Sequence, residues 1–462
     1  MVIASTFEPV TAKRMREGSS AIAAAFRVIR NPVEVWSDQM YRERFFDGSL
    51  LSQRIVHTSD PQTFQDALLT HQSAFTKSDI QQRLLSAATG NGLLTAEGHD
   101  WKTQRKAAAP AFRHDRLYAL LPDMNQAARK AATRLQRQSG AVDVMPFMID
   151  ATFEIIAKTL LSSDESSLDY AQIEADVAVF LDQLGRVDLF DIIPGLSAIP
   201  RPWGAKGRAA VKRMREVADR AILTRRSSST PFSADATADL LGLLLSATDP
   251  ETGAGLSDRE LRDSIITFIG AGHETTSLAL TWALYLLANS GEWQDRLRQE
   301  AFAVCGDGPV ERAHIRQLVS HEWVIKEAMR LYPPAPAMGR TAIRDVELTH
   351  LKLKAGDQLV LAVFPMHRHE DLWERPGAFD PERFSPERSK DHHRYQYIPF
   401  SGGPRICIGM QFAMMEALTI LAHLVRRVEV SPCEDFTPYP RSRITLRPER
   451  GMVLQVHPSG SS

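Results

Sequence analysis

Cysteine is scarce. The 462 residues hold three, Cys305, Cys407 and Cys433, an odd number whose spacings match no zinc site. A reducing compartment suits such a chain, and we expect the cytoplasm. Long apolar runs are missing too. The longest, "LALTWALYLLA" (Leu278 to Ala288), is too short to cross a bilayer. The opening "MVIASTFEPVTAKRMREG" lacks the apolar stretch of a signal peptide or anchor. A soluble protein with no membrane span is expected. Charge of one sign is also absent: 55 Lys and Arg stand against 56 Asp and Glu, a net of −1. Nothing global therefore invites nucleic acid, and an electrostatic partner must be met by a local patch. There is no internal repeat. The nearest thing to a linker is "RRSSSTPFSADATADL" (Arg225 to Leu240), which reads as a short connection between helices.

What is present is mostly helical. With 44% of residues hydrophobic, there is ample material for a large core. "DPQTFQDALLTH" (Asp60 to His71) starts on an Asp cap with Pro at the first helical position. "RLYALLPDMNQAARKAATRLQRQ" and "MPFMIDATFEIIAKTLLSS" follow, then amphipathic stretches near 168–186 and 203–226. The longest helical pattern runs from about Ser257 to Ser290 and would cross roughly 50 Å. Its second half is apolar nearly all round, which predicts a central position. Strand patterns are few: "SLLSQRIVHT", "VELTHLKLKAGDQLVLAVF" turning at Gly356, and the C-terminal "RITLRPERGMVLQVH". The expectation is one mainly α domain over 1–462. Its small β-rich part comes from about 45–60, 340–365 and the C-terminus, built as a small sheet from both chain ends. Its helical part covers about 95–335 and 408–428.

Four constellations carry chemistry. "PFSGGPRICIG" spaces Phe400, Gly403, Arg405, Cys407 and Gly409 at the entrance to an apolar helix. Glycines permit a tight loop and close approach to something flat. Free N–H groups at a helix start favour a thiolate, which is a soft-metal ligand. A lone cysteine in such a turn is otherwise a buried structural residue. "AGHETTS" (Ala271 to Ser277) sets Glu274, Thr275 and Thr276 in an apolar helix. The Thr275 hydroxyl can bond back to the Ala271 carbonyl and open the helix locally. With Gly272 this gives a small-walled groove flanked by an acid and an alcohol; standing alone, the motif reads better as a solvated kink. "KEAMRLYPPAP" puts Glu327 and Arg330 on one helical face, an ordinary surface pair unless Arg383 of "FDPERF" completes a buried network. "HDWKTQRKAAAPAF" puts Trp101 and Arg105 on one face, where an indole N–H and a guanidinium suit a carboxylate. In isolation that is an ordinary amphipathic helix.

In this order along the chain, these residues resemble the cytochrome P-450 family, the haem-thiolate monooxygenases. "FSGGPRICIG", with Ala413 and Glu416 after it, is the most specific part. The resemblance implies a triangular helical prism with a small β region and a long central helix over haem b. It implies Cys407 as the iron ligand and Trp101, Arg105, Arg340 and Arg405 as propionate partners. By the same resemblance Phe400 would pack near the proximal face, and Gly403, Gly409 and Ala271 would line the cofactor. Thr275 and Glu274 would be the alcohol–acid pair for dioxygen activation, and Glu327, Arg330 and Arg383 a structural triad. Cys305 and Cys433 would be structural.

The implied reaction is insertion of one oxygen atom from O2 into a hydrophobic substrate, most simply a hydroxylation. Fatty acids, terpenoids, steroids and alkyl aromatics all fit, with a lean to aliphatic substrates. Ile266, Phe268, Ala337, Met338 and Ile444, with the loop at 80–95, would line the pocket. No flavin or iron–sulfur module is seen, so electrons from NAD(P)H would arrive through a ferredoxin or flavodoxin and its reductase. Lys102, Lys106, Arg113, Lys326, Arg426 and Arg427 are candidate cations for that acidic partner. The protein is expected to be a monomer. The alternatives are a haem-thiolate peroxygenase or isomerase, and a non-catalytic haem sensor.

Overall fold

The computed structural model describes residues 7–459 except 51–52, 162–169, 185–204, 228–239, 247, 249–252 and 254. Most of the 225–240 connection and part of the 168–186 stretch therefore lie outside the described residues. What is described is mostly helical, with small sheets. The central helix spans Asp258–Ala288. Ser257 caps it in a reciprocal capping box with Glu260, which satisfies two otherwise orphaned donors. Nearly every residue after Asp263 is buried, as its all-round apolar second half predicts. The helix runs unbroken through "AGHETTS", so the expected local opening does not occur.

Two helices fix its position. Met145–Leu161 lies along it, and Thr152 Oγ1 donates to the His273 carbonyl at 2.9 Å. Gly272 makes that approach possible. A Cβ there would lie 3.1 Å from Ile156 Cδ1. The missing side chain serves helix packing, which corrects the reading of Gly272 as a groove wall. Met410–Val425, the helix after Cys407, packs against Leu121–Gln136 and the central helix. The early helix at Asp60 forms as read, with Asp60 Oδ2 accepting from the Thr63 N–H at 2.8 Å.

The strands do not form one sheet. The five-stranded sheet runs Phe45–Leu50, Gln53–Thr58, Gln358–Leu361, Met338–Ala342, Phe75–Lys77. The C-terminal strand Val453–Pro458 instead pairs with Gly140–Asp143 and Val428–Pro432. Pro440–Ser442 and Leu446–Pro448 make a separate hairpin. One hydrophobic cluster lies around the central helix, and a second under the five-stranded sheet.

Candidate active site

The Cys407 loop is shaped by glycine. Gly403 has φ +65°, and a Cβ there would collide with the Leu68 carbonyl oxygen, backbone that cannot step aside. The Cys407 N–H donates to the Phe400 carbonyl at 2.9 Å and closes the loop. Gly409 then caps Met410–Val425. The thiol has two opposed influences. Burial pushes it up, while the Gly409 N–H and the Arg105 guanidinium pull it down without winning. Burial is the larger of the two influences.

Cys407 nevertheless has an accessible side, and so does Ala271 in the middle of the buried central helix. Phe112 joins the two. Its ring lies 5.6 Å from that of Phe268 and 3.9 Å from where a Gly409 Cβ would sit, which is itself 4.0 Å from Cys407 Sγ. Phe268, Ala271 and Thr275 are spaced three and four apart, so they share one helical face. Phe268 on that face and Gly409 beside the thiol thus have Phe112 as a common neighbour. Thr275 Oγ1 donates to the Ala271 carbonyl at 2.8 Å, as the sequence predicts.

Glu274 points elsewhere. Its Oε1 accepts from Thr445 Oγ1 at 3.0 Å and from the Arg447 guanidinium, both on the C-terminal hairpin. The acid expected beside the Thr275 hydroxyl is thus held in a buried ion pair. Thr276 Oγ1 bonds back to the Gly272 carbonyl at 3.3 Å. Beside Thr276 lies Glu416, fully buried, whose carboxyl is pushed well above the usual range by burial.

A surplus of cations stands beside the loop. Arg405 stacks over the Trp101 ring at 4.3 Å, donates to the Ala96 carbonyl at 2.9 Å and pairs with Glu97. Lys77 reaches the same carbonyl at 3.2 Å and Glu97 Oε1 at 3.2 Å. Lys77 and Arg340 are direct partners across two antiparallel strands, an arrangement that is unfavourable for like charges. Burial, with Arg405 adding repulsion, lowers Arg340 to about 10 and Lys77 to about 8. Arg105 is also lowered by burial, with the Cys407 sulfur opposing that shift. Among the described residues, Lys77, Arg340 and Arg405 thus share the Glu97 carboxylate.

Glu327, Arg330 and Arg383 do meet, buried at 0, 0 and 2% exposure. Arg330 grips Glu327 through two bonds of 2.7 and 2.8 Å, and Arg383 Nε donates to Glu327 Oε1 at 3.1 Å. Burial alone would raise the Glu327 carboxyl, but the two guanidiniums outweigh it and hold it below the usual range.

Of the pocket candidates, Ile266 and Phe268 lie in the central cluster, with Ala337 and Ile444 packed against it; Met338 belongs to the cluster under the sheet. Arg426 is not a surface cation. It is buried and donates to the Gly306 and Gly308 carbonyls at 2.6 and 2.9 Å. Sequence reasoning missed Lys77, Glu97 and Phe112. Glu97 stands just before "HDWKTQR" and Phe112 closes the quoted stretch "HDWKTQRKAAAPAF", whereas Lys77 was near no recognised motif.

Comparison with known proteins settles the class. The family model for Cytochrome P450 matches residues 31–455. A cytokinin hydroxylase of Arabidopsis thaliana is 34% identical over 428 residues, 92% of this chain and 82% of that protein. Cyclooctatin synthase of Streptomyces melanosporofaciens is 32% identical over 77% of this chain and 76% of its own length. The crystal structure of the cytochrome P450DA heme domain superposes with a TM-score of 0.78 at 26% identity, covering 90% of each chain. The chain belongs to the cytochrome P450 family. It is a cytochrome P450 monooxygenase, and the family's cofactor is haem. The residues present fit that group. A haem carries two carboxylates, and the Lys77–Arg340–Arg405 surplus lacks that negative charge. The family's haem takes a Cys thiolate ligand, and the accessible Cys407 is a free cysteine.

Proposed function

We propose that Cys407 ligates haem b and that Trp101, Arg105, Arg340, Arg405 and also Lys77 hold its propionates. The buried cation surplus beside the Cys407 loop carries this reading. Haem with a thiolate ligand supplies dioxygen activation and O–O cleavage. The chain supplies position, dryness and protons. Phe268, Phe112 and Ala271 exclude water from the thiol side. The Thr275 hydroxyl holds a proton at Oγ1, and Glu274 is the nearby acid, reached only when it leaves Arg447. Glu327, Arg330 and Arg383 brace the chain leading to the Cys407 loop.

The reaction we infer is hydroxylation of a hydrophobic substrate, in keeping with relatives named as hydroxylases. Ile266, Phe268, Ala337 and Ile444 favour an apolar, preferably aliphatic, molecule; fatty acid, terpenoid, steroid and alkyl aromatic libraries separate the classes by spectral titration. A separate ferredoxin or flavodoxin with its reductase brings electrons from NAD(P)H to a monomer in the cytoplasm. A cleft of about 770 Å3 beside the loop holds Phe400, Ile406, Arg316 and Arg394, with Lys326 paired to Glu322 at 2.6 Å; Arg316 and Arg394 are its cations for an acidic partner. No helix among the described residues is long and apolar enough to cross a membrane.

The ligand assignment is tested by the reduced, carbon monoxide-bound spectrum. The far red-shifted Soret band of a thiolate ligand should appear, vanish in Cys407→Ala and persist in Cys305→Ala. A band retained by Cys407→Ala overturns the assignment.

A further inference from the structure

The cation cluster beside the Cys407 loop contains an acid, which has the wrong charge for holding a propionate. Glu97 precedes the helix Gly98–Ala108, which carries Trp101 and Arg105. An acid at a helix start ordinarily serves the free N–H groups there. Glu97 makes no such cap. Its carboxylate turns to the cations. Oε2 pairs with the Arg405 guanidinium, and Oε1 takes the Lys77 ammonium at 3.2 Å and the Lys77 backbone N–H at 3.4 Å. The Ala96 carbonyl works in the same direction and accepts from both Arg405 and Lys77.

The cations need a counter-charge. Lys77 and Arg340 are buried, at 7 and 8% exposure, and the Arg405 side chain is 19% exposed. Burying a charge without a partner is costly. Among the described residues, Glu97 is the acid that acts on each of the three. Arg105 stands apart, because the charge that bears on it is the Cys407 sulfur. Three cations against one acid leave a surplus of two, and a haem carries two carboxylates. The site is neutral with haem only while Glu97 is ionised. Without Glu97, three cations would face two propionates.

We propose that Glu97 trims the charge of the propionate site, taking up one of three cations so that two remain for the two haem carboxylates. This role rests on Cys407 holding haem b and on Lys77, Arg340 and Arg405 holding its propionates. Glu97 is a positioning residue, since it acts through Lys77 and Arg405. Its negative charge competes with the propionates and disfavours the added electron of the ferrous state. Its side chain is 33% exposed, so Glu97→Gln removes the charge and leaves the packing as it is.

The test uses the haem-loaded full chain and reads haem transfer to apomyoglobin and the ferric–ferrous potential. Glu97→Gln should transfer haem about threefold more slowly and shift the potential to more positive values. Adding Lys77→Met to Glu97→Gln restores a surplus of two and should return the potential close to the wild-type value. A role confined to packing or helix capping gives faster haem loss and an unmoved potential, and either result in Glu97→Gln overturns the proposal. So does a double variant whose potential stays as far from wild type as that of Glu97→Gln. Arg405→Gln separates this role from the haem assignment, and it should release haem faster. Unchanged transfer in Arg405→Gln overturns the propionate assignment and the role of Glu97 with it. Faster release in Arg405→Gln beside an unmoved potential in Glu97→Gln overturns the role of Glu97 alone.

Discussion

Arg330 is the position where a single substitution should cost most. It is fully buried and makes five hydrogen bonds: two to Glu327, and one each to the carbonyls of His367, Pro376 and Ala378. Arg330→Ala leaves Glu327 with only Arg383 and the Asp380 N–H, at 3.1 and 2.9 Å. Breaking a buried ion pair on one side costs ~3–5 kcal/mol, and each carbonyl left dry adds ~1 kcal/mol or more. Against a total stability of ~5–15 kcal/mol, the variant should yield little soluble, haem-loaded protein. Arg330→Lys keeps a charge but not the fork, so it should fall between. Soluble yield and urea unfolding of whatever folds provide the readout. The same site sets an acid limit. Because the Glu327 carboxyl is lowered in the fold, its contribution is present above the ordinary glutamate value of 4.5 and is lost as pH falls below it. A haem-replete Arg330→Ala, destabilised by less than ~1 kcal/mol and defective only in turnover, would refute the structural role.

Thr275→Ala should bind substrate normally but become uncoupled: NAD(P)H is still consumed, with more hydrogen peroxide and less product, while Thr276→Ala is much milder. Product, peroxide and NAD(P)H measured together decide it, and unchanged coupling in Thr275→Ala counts against a proton role for the hydroxyl. Gly403→Ala should break the Cys407 loop, because the Cβ meets Leu68 backbone at a positive φ; a normal carbon monoxide spectrum from good yields of this variant would contradict that. Lys77→Met should relieve the repulsion with Arg340, so the apoprotein unfolds at higher urea. Haem transfer to apomyoglobin should nevertheless be about tenfold faster, and unchanged transfer would remove Lys77 from the propionate set.

Motifs with local physics were readable in the chain. The Asp60 cap, the Thr275 back-bond, the long central helix and the tight Cys407 loop each depend on residues a few positions apart. The Glu327–Arg330 pair was readable for the same reason, and Arg383 was found through its motif. What stayed hidden depends on neighbours remote in sequence. Gly272 looked like a groove wall because nothing in "AGHETTS" announces Ile156 on another helix. Arg426 looked exposed because the loop carbonyls at Gly306 and Gly308 are far upstream. Lys77 sits in a three-residue strand, too short to show a period, and its strand partner Arg340 lies on a different segment. The sheet was misjoined because alternation marks a strand but not its neighbour.

Glu274 shows how such remote contacts reshape a motif. Successive helical side chains point about 100° apart, so Thr275 and Glu274 cannot both look toward the thiol. Thr275 shares the Ala271 face, and Glu274 is turned to the hairpin, where Thr445 and Arg447 hold it. The hydroxyl proton of Thr275 is itself engaged with the Ala271 carbonyl. Both members of the alcohol–acid pair are therefore occupied, and a proton can pass between them only if at least one contact opens. The hairpin that holds Glu274 is pinned to the same helix one level away, by Trp282 Nε1 to the Leu446 carbonyl at 3.3 Å, and Ile444 lies at its turn. Ile444 is packed against the central core cluster, so the turn of this hairpin is anchored as well as its strand. Thr445, Leu446 and Arg447 thus tie one hairpin to the central helix at both Glu274 and Trp282, so any movement of Glu274 must break contacts to residues 171 and 173 positions away in the chain.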